Sequence, residues 1–246
     1  MYIFNKSSSK NLSDLIPEGY VDIHSHLLPA IDDGAKNVQE TLNFLRQLSD
    51  YGFDKFITTP HIMPGVWNNT SHGIVAKEQE LKSFLKQEPC SYPIKAAAEY
   101  YIDEHFMQLI KSGELLTLDD KHVLIEFSYI NAPLIIYDVI FELKLSGYIP
   151  VVAHPERYRY YSFKNGDYHN LKKAGCKFQL NLLSLTGYYG KSVYETSKQL
   201  IENNMINFTG SDVHNESQIS AFKQKVLLKD INLLKTILDN NLFFAG

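Results

Sequence analysis

Apolar, β-branched runs recur along the chain, and amphipathic stretches fill most of the gaps between them. Seven runs have strand character: residues 20–26 (YVDIHSH), 55–61 (KFITTPH), 93–102 (PIKAAAEYYI), 122–128 (HVLIEFS), 149–157 (IPVVAHPER), 176–184 (CKFQLNLLS) and 206–214 (INFTGSDVH). Their near-continuous hydrophobicity marks strands covered on both faces. In the first gap, NVQETLNFLRQLSDYG (37–52) sets Val38, Leu42, Leu45 and Leu48 at helical spacing. Gly52, Gly113, Gly147 and Gly175 fall where such helices would stop, each shortly before a strand. Strands alternating with helices predict an α/β fold with a parallel sheet. This pattern suits an open doubly wound sheet and a closed barrel equally.

The polar residues separate the two. Six of the seven runs end in a residue able to bind a metal. His24 and His26 alternate in the first, which would turn both rings to one strand face, and Asp32 and Asp33 follow in the loop. His61, Glu99, Glu126 and His154 close the next four runs, and Asp212 with His214 closes the last. Only CKFQLNLLS offers no obvious ligand. Carboxyl ends of parallel strands share one side of a domain, and in a barrel they ring a common mouth. The outer strands of an open sheet would lie too far apart to share a site, so the placement favours a barrel.

Imidazole and carboxylate together suit manganese, iron or zinc better than calcium or magnesium. Five histidines and four carboxylates exceed the three or four ligands of one catalytic zinc, which points to two or three ions. Three divalent ions against Asp33, Glu99, Glu126 and Asp212 would leave about two positive charges, a pocket for a dianion such as a phosphate monoester. Arg157, three residues beyond His154, could clamp phosphoryl oxygens with two parallel hydrogen bonds. A metal pair can generate hydroxide near neutral pH, so no serine or cysteine nucleophile is required. Neither Cys90 nor Cys176 has an arginine six residues on; those positions are Ala96 and Leu182.

Composition adds limits. The 246 residues are 44% hydrophobic and 21% charged, with a net charge of -4, so no electrostatic footprint for nucleic acid is visible. No run of 18 or more apolar residues suggests a membrane span. No signal peptide is recognisable at the start, and the expected location is cytoplasmic. With no Pro/Gly/Ser-rich linker, residues 20–246 are expected to form one domain behind a lead-in, 1–19, with Lys6 to Lys10 mobile. Cys90 and Cys176 are expected as reduced, packed thiols. A homo-oligomer is compatible with the sequence.

The strings DIHSHLLPAIDDGA, TTPH, AAEYY, LIEFS, GYIPVVAHPERY and SDVHN, in this order from Val21 onward, resemble the PHP (polymerase and histidinol phosphatase) superfamily. Within it the chain is similar to the bacterial metal-dependent protein-tyrosine phosphatases of capsule and exopolysaccharide operons. The resemblance implies a distorted, TIM-like barrel of seven strands with three divalent ions, manganese foremost and iron or zinc as alternatives. His24, His26, Glu99 and Asp212 would hold one ion. Glu99 would bridge to a second, shared with Glu126 and His154; Asp33, His61 and His214 would hold the third. Arg157 matches the family's substrate-contacting arginine. The implied reaction is attack of metal-bridging hydroxide on phosphotyrosine in a protein, notably a tyrosine kinase controlling polysaccharide export. Some relatives carry a second arginine after the DxHN string; here DVHNESQISAF has none.

Each residue also has a plainer use. One of Asp32 and Asp33 would cap the following turn, and Asp33 is the preferred ligand. Glu126 or Arg157 could serve in an ordinary ion pair. Trp67, in the loop MPGVWNN, would either stack on a substrate ring or fold its loop down. Tyr158 to Tyr161 reads as packing, and His72, His105, His122 and His169 as surface or structural. A small-molecule phosphatase acting on histidinol phosphate or a nucleotide is the alternative enzyme. An amidohydrolase would want a strand-end lysine that is missing, and a purely regulatory module would have lost ligands.

Overall fold

A computed structural model describes residues 10–246; Lys6 to Ser9 of the lead-in lie outside the described residues. The first strands are β1 (Tyr20–Asp22), β2 (Phe53–Thr58), β3 (His61–Ile62), β4 (Ile94–Ala96) and β5 (Glu99–Tyr101). They are followed by β6 (His122–Glu126), β7 (Ile149–Ala153), β8 (Lys177–Asn181) and β9 (Phe208–Gly210). The helices interleave: α1 (Val38–Asp50), α2 (Ser71–Leu85), α3 (Glu104–Ser112) and α4 (Ile136–Leu145). After them come α5 (Asp167–Ala174), α6 (Lys191–Glu202), α7 (Glu216–Ala221) and α8 (Ile231–Asp239).

Sequence dictates the helix limits closely. Asn37 caps α1 by accepting the Glu40 N–H, and Leu42, Phe44, Leu45 and Leu48 bury one face of it. Asp103 caps α3 in the same way, and Gly113 ends it in the left-handed conformation.

Every strand pair is parallel, in two sheets ordered β1-β2-β4 and β3-β5-β6-β7-β8-β9. The protein is thus α/β with parallel sheets, and among the described residues the ladders do not form a single seven-stranded closed ring. Two of the seven apolar runs break in two. One break falls at Thr59 and Pro60, where proline has no N–H to give a ladder, and the other at Ala97 and Ala98. The two runs stay bonded across the gap: the Ala97 N–H donates to Thr58 at 2.8 Å and the Glu99 N–H to Pro60 at 3.1 Å.

A second difference concerns the opening histidines. β1 ends at Asp22, so His24 and His26 lie past the strand rather than on its face. Their backbone is engaged by the segment after β9 instead: the Asp212 N–H donates to His24 at 2.8 Å and the His26 N–H to Val213 at 3.0 Å. Only glycine permits this approach at residue 210, because a Cβ there would lie 2.6 Å from the His24 Cβ.

Between β1 and β9 side chains replace the ladder. The Tyr20 and Thr209 hydroxyls meet at 2.8 Å, and Ser211 donates to the Asp22 carboxylate from its N–H at 2.9 Å and its hydroxyl at 2.6 Å. Asn241, beyond α8 and fully buried, accepts the Thr209 N–H at 3.0 Å. Its amide nitrogen donates to the Val21 and Thr209 carbonyls at 2.8 and 2.7 Å.

The apolar core falls into two clusters. Val21, Ile23, Ile57, Leu124, Val151 and Ala153 belong to a smaller one made largely of strand residues, while the larger one packs helices on strands. Leu12, Leu15 and Ile16 join the larger cluster, so packing extends upstream of the boundary drawn at residue 20. The Leu12 N–H donates to Gln224 and the Val226 N–H to Lys10, which ties this segment to the chain after α7. No helix of the described residues is long and apolar enough to cross a membrane.

Candidate metal centre

Parallel strands deliver their carboxyl ends to one side, and there the predicted residues meet. His24 Nε2 lies 3.3 Å from Glu99 Oε2 and 3.2 Å from Asp212 Oδ1; His26 Nε2 lies 3.5 and 3.6 Å from the same two atoms. His61 Nδ1 stands 3.2 Å from Glu99 and 3.5 Å from Glu126, with its Nε2 3.6 Å from Asp33. His154 Nε2 is 3.1 Å from Glu99 and 3.8 Å from Glu126. His214 completes the set, 3.5 Å from Asp33 and stacked on His26 with ring centroids 3.9 Å apart. Thus His24, His26, Asp33, His61, Glu99, Glu126, His154, Asp212 and His214 are all brought together.

Strand register explains the convergence. His61 and Glu99 are directly paired across β3 and β5, and Glu126 pairs with Tyr101 at the end of β6. His154 and Asp212 follow the ends of β7 and β9, and both adopt positive φ, 33° and 51°. Such backbone is uncommon for residues other than glycine and is held in place at functional sites.

The unpaired atoms of the donor set fit a metal. His24 Nε2, His26 Nε2, His61 Nδ1, Glu99 Oε2 and Glu126 Oε2 are buried and have no hydrogen-bond partner. Buried polar atoms without partners are costly unless something else satisfies them. Four groups have their ligand atoms within 4.8 Å of one another: His26, Asp33, His61 and His214; His24, Glu99 and His154; His24, His26 and Asp212; and His61, Glu99 and Glu126. Imidazole nitrogens and carboxylate oxygens in that arrangement fit a cluster of divalent cations. Glu126 faces both His61 at 3.5 Å and His154 at 3.8 Å.

Electrostatics agree. Burial, then the neighbouring charges of Glu99 and Asp212, push the Glu126 carboxyl well above the usual range. Glu99 and Asp212 go the other way: burial opposes ionisation, but His24 and the other facing imidazoles hold both low. Cations among these carboxylates would let all three ionise together. Burial, assisted by the Arg157 charge, draws the His154 ring down to about 4, keeping it in the neutral form that ligates metals.

The two aspartates face different surroundings. Asp32 turns inward, its carboxylate 2.8 Å from His26 Nδ1 and accepting the Gly34 and His61 N–H groups at 3.0 and 3.1 Å. Asp33 stands at the rim, its side chain 52% exposed, facing His61 and His214.

Arg157 reaches the centre from a short turn after His154. Its Nη1 donates to Asp212 Oδ2 at 3.0 Å, and its guanidinium lies between the Tyr129 and Tyr189 rings at 4.7 and 4.6 Å. The open cleft above the cluster has a volume of about 290 Å³ and is lined by Tyr129, Arg157, Asn215 and Gln218 besides residues of the cluster itself. Trp67 does not line it. Its backbone pairs with Met63, folding down its own loop.

Sequence reasoning missed the support behind the ligands. The strand without an obvious ligand, β8, supplies Gln179, whose Oε1 lies 2.7 Å from His24 Nδ1, and Asn181, which donates to Asp212. Two buried amides two residues apart in an apolar run were the available signal. His122 is structural, bonded to Asp119, and His72, His105 and His169 are exposed. Tyr158 packs in the core and its hydroxyl accepts the Phe127 N–H. Both cysteines are free; Cys176 is buried, but Cys90 is exposed rather than packed.

The family model for capsular polysaccharide synthesis, CpsB/CapC, matches residues 20–225. The chain belongs to the CpsB/CapC family. It is 33% identical over 208 residues to the tyrosine-protein phosphatase YwqE of Bacillus subtilis (strain 168), covering 84% of this chain and 82% of that protein. It is 28% identical over 214 residues to a putative tyrosine-protein phosphatase CapC of Staphylococcus aureus, covering 87% and 84%. Among solved structures, one from the work on YwqE and Streptococcus pneumoniae CpsB, described as unique metal-dependent tyrosine phosphatases, superposes with a TM-score of 0.78. That match has 29% identity and covers 92% of this chain and 91% of that one. A probable 2-pyrone-4,6-dicarboxylic acid hydrolase of Acinetobacter baumannii, 14% identical with a TM-score of 0.52 over 93% of this chain and all of that one, shares the CpsB/CapC chain's fold only.

Proposed function

We propose that this chain is a metal-dependent phosphatase of phosphotyrosine in proteins, acting in the cytoplasm on a tyrosine kinase of capsule or exopolysaccharide synthesis. The observation that carries it is the convergence of nine ligand-type side chains with unpaired buried nitrogen and oxygen atoms, in a chain of the CpsB/CapC family. We infer three divalent ions, manganese first, held by His24, His26, Glu99 and Asp212, by Glu99, Glu126 and His154, and by Asp33, His61 and His214. We also read the two sheets as parts of one distorted seven-stranded barrel, supported by the backbone bonds that continue across both seams.

When bound, the ions supply an activated water and neutralise phosphoryl charge. The protein's own groups do the rest. Arg157 stands beside Asp212 with its guanidinium plane fixed by two tyrosine rings, oriented to donate to phosphoryl oxygens whose charge is spread in the transition state. Gln179 and Asp32 fix the ring orientations of His24 and His26. The side chains of Tyr129 and Gln218 shape the entrance.

The test is purified protein with manganese, assayed against a phosphotyrosine peptide, a phosphoserine peptide, histidinol phosphate and a nucleotide monophosphate. The phosphotyrosine peptide should turn over fastest, and dialysis against a chelator should abolish turnover until metal is restored. Preference for histidinol phosphate or the nucleotide would overturn the substrate reading, and full activity after chelation would overturn the metal reading.

A further inference from the structure

Beside the metal cleft lies a second cavity of about 350 Å³, lined by Tyr129, Arg157, Arg159, Tyr189 and Val193. It shares Tyr129 and Arg157 with the cleft, so the two spaces adjoin. The chain has only three arginines, Arg46, Arg157 and Arg159, and two of them line this cavity. Arg46 pairs with Glu88 and Arg157 with Asp212, whereas Arg159 has no ion pair among the described residues and is exposed.

No carboxylate is among the lining residues. Val193 belongs to the first turn of α6, whose N-cap Gly190 provides no side-chain hydrogen bond. In a protein of net charge -4, a carboxylate-free cavity with a free guanidinium selects an anionic guest. Its aromatic walls would cover the apolar stem of that guest.

We propose that this cavity is a specificity subsite for an acidic side chain flanking the phosphotyrosine in the substrate, with Arg159 as the residue that reads it. The proposal rests on the phosphotyrosine reading above and names what else that substrate must carry. Arg157 and Arg159 are two residues apart in the segment after His154, so the phosphoryl group and the flanking carboxylate would be read by neighbouring side chains. Arg159 is a second arginine at the mouth, reached from the HPERYR string rather than from the segment after Asp212.

The experiment compares three peptides in which phosphotyrosine is flanked on both sides by glutamate, glutamine or lysine. Wild type should favour glutamate over glutamine by about tenfold in kcat/KM, carried mainly by KM, as expected for one charge-assisted contact. Arg159→Gln should bring that ratio below about two, Arg159→Lys should restore part of it, and Arg159→Glu should shift preference to the lysine peptide. A purely structural role would lower all three peptides alike, and that result overturns the proposal, as does a wild-type ratio near one. Anisotropy with non-hydrolysable difluorophosphonate analogues of the same peptides ranks binding without turnover. Free phosphotyrosine with manganese reports the hydrolytic activity separately, so if it is not turned over the binding ranking alone decides the subsite.

Discussion

Asp32→Asn tests the central arrangement most directly. Asp32 is buried against the cluster without being one of its unpaired ligand atoms. One oxygen lies 2.8 Å from His26 Nδ1 and 3.1 Å from the His61 N–H, and the other accepts from Gly34 at 3.0 Å. Accepting from Nδ1 fixes the imidazole tautomer and leaves the Nε2 lone pair free. That nitrogen is the one facing Glu99 and Asp212 at 3.5 and 3.6 Å. Asparagine keeps the shape but gives a weaker acceptor, or presents an NH₂ that favours the opposite tautomer. Losing a partner of this kind weakens metal affinity by about 10- to 100-fold, or roughly 1.4 to 2.7 kcal/mol. Three hydrogen bonds converge on this one carboxylate, so the upper half of that range is expected. The readout is the manganese concentration giving half-maximal kcat, together with direct calorimetric titration. In Asp32→Asn the half-point should move upward by about 30- to 100-fold, with most of kcat recovered at saturation. Asp33→Asn, which removes a half-exposed group facing His61 and His214, should instead lose kcat that added manganese does not restore. If Asp32→Asn titrates like wild type, or if Asp33→Asn alone shows the recoverable shift, the assignment of the two aspartates is wrong.

Three further outcomes are expected. Burial pushes the Cys176 thiol up to about 12, so at pH 8 a thiol reagent should modify Cys90 alone until denaturant is added; a Cys90→Ser, Cys176→Ser double variant should stay within about twofold of wild-type activity. Arg157→Lys keeps a charge but loses the planar fork held between Tyr129 and Tyr189, and kcat/KM on a phosphotyrosine peptide should fall roughly 100-fold with an unchanged circular dichroism spectrum. Asn241→Ala should cost about 2 to 4 kcal/mol in urea unfolding, because the Thr209 N–H and two carbonyls lose their buried partner; a loss below about 1 kcal/mol would mean water replaces the amide.

The legible parts of this sequence were those with period or position. Apolar runs gave the parallel α/β layout, and the polar residues at their carboxyl ends gave nine side chains that meet. The spacing of His24 and His26 marked them as a pair, yet their place beyond β1 depends on the segment after β9, a contact nearly 190 residues away in sequence. Gln179 and Asn181 were passed over because amides are poor ligands; their role appears only once His24 and Asp212 stand next to β8. The burial of Leu12, Leu15 and Ile16 was equally hidden, since three apolar residues among polar ones have no strong period and acquire a partner only through the chain after α7. Trp67 illustrates the reverse case, where a conspicuous aromatic in a loop serves the loop itself.

The side-chain clasp between β1 and β9 has a bearing on how the protein is made. Residue 241 leaves the ribosome after every strand has emerged, so the first and last strands of the nascent domain face one another without their shared amide clamp. Until then both margins carry backbone groups open to foreign strands. Emergence of Asn241 is thus a late checkpoint in biogenesis, and translation stalled before residue 241 should yield a product prone to clumping although His24 to His214 are already in place.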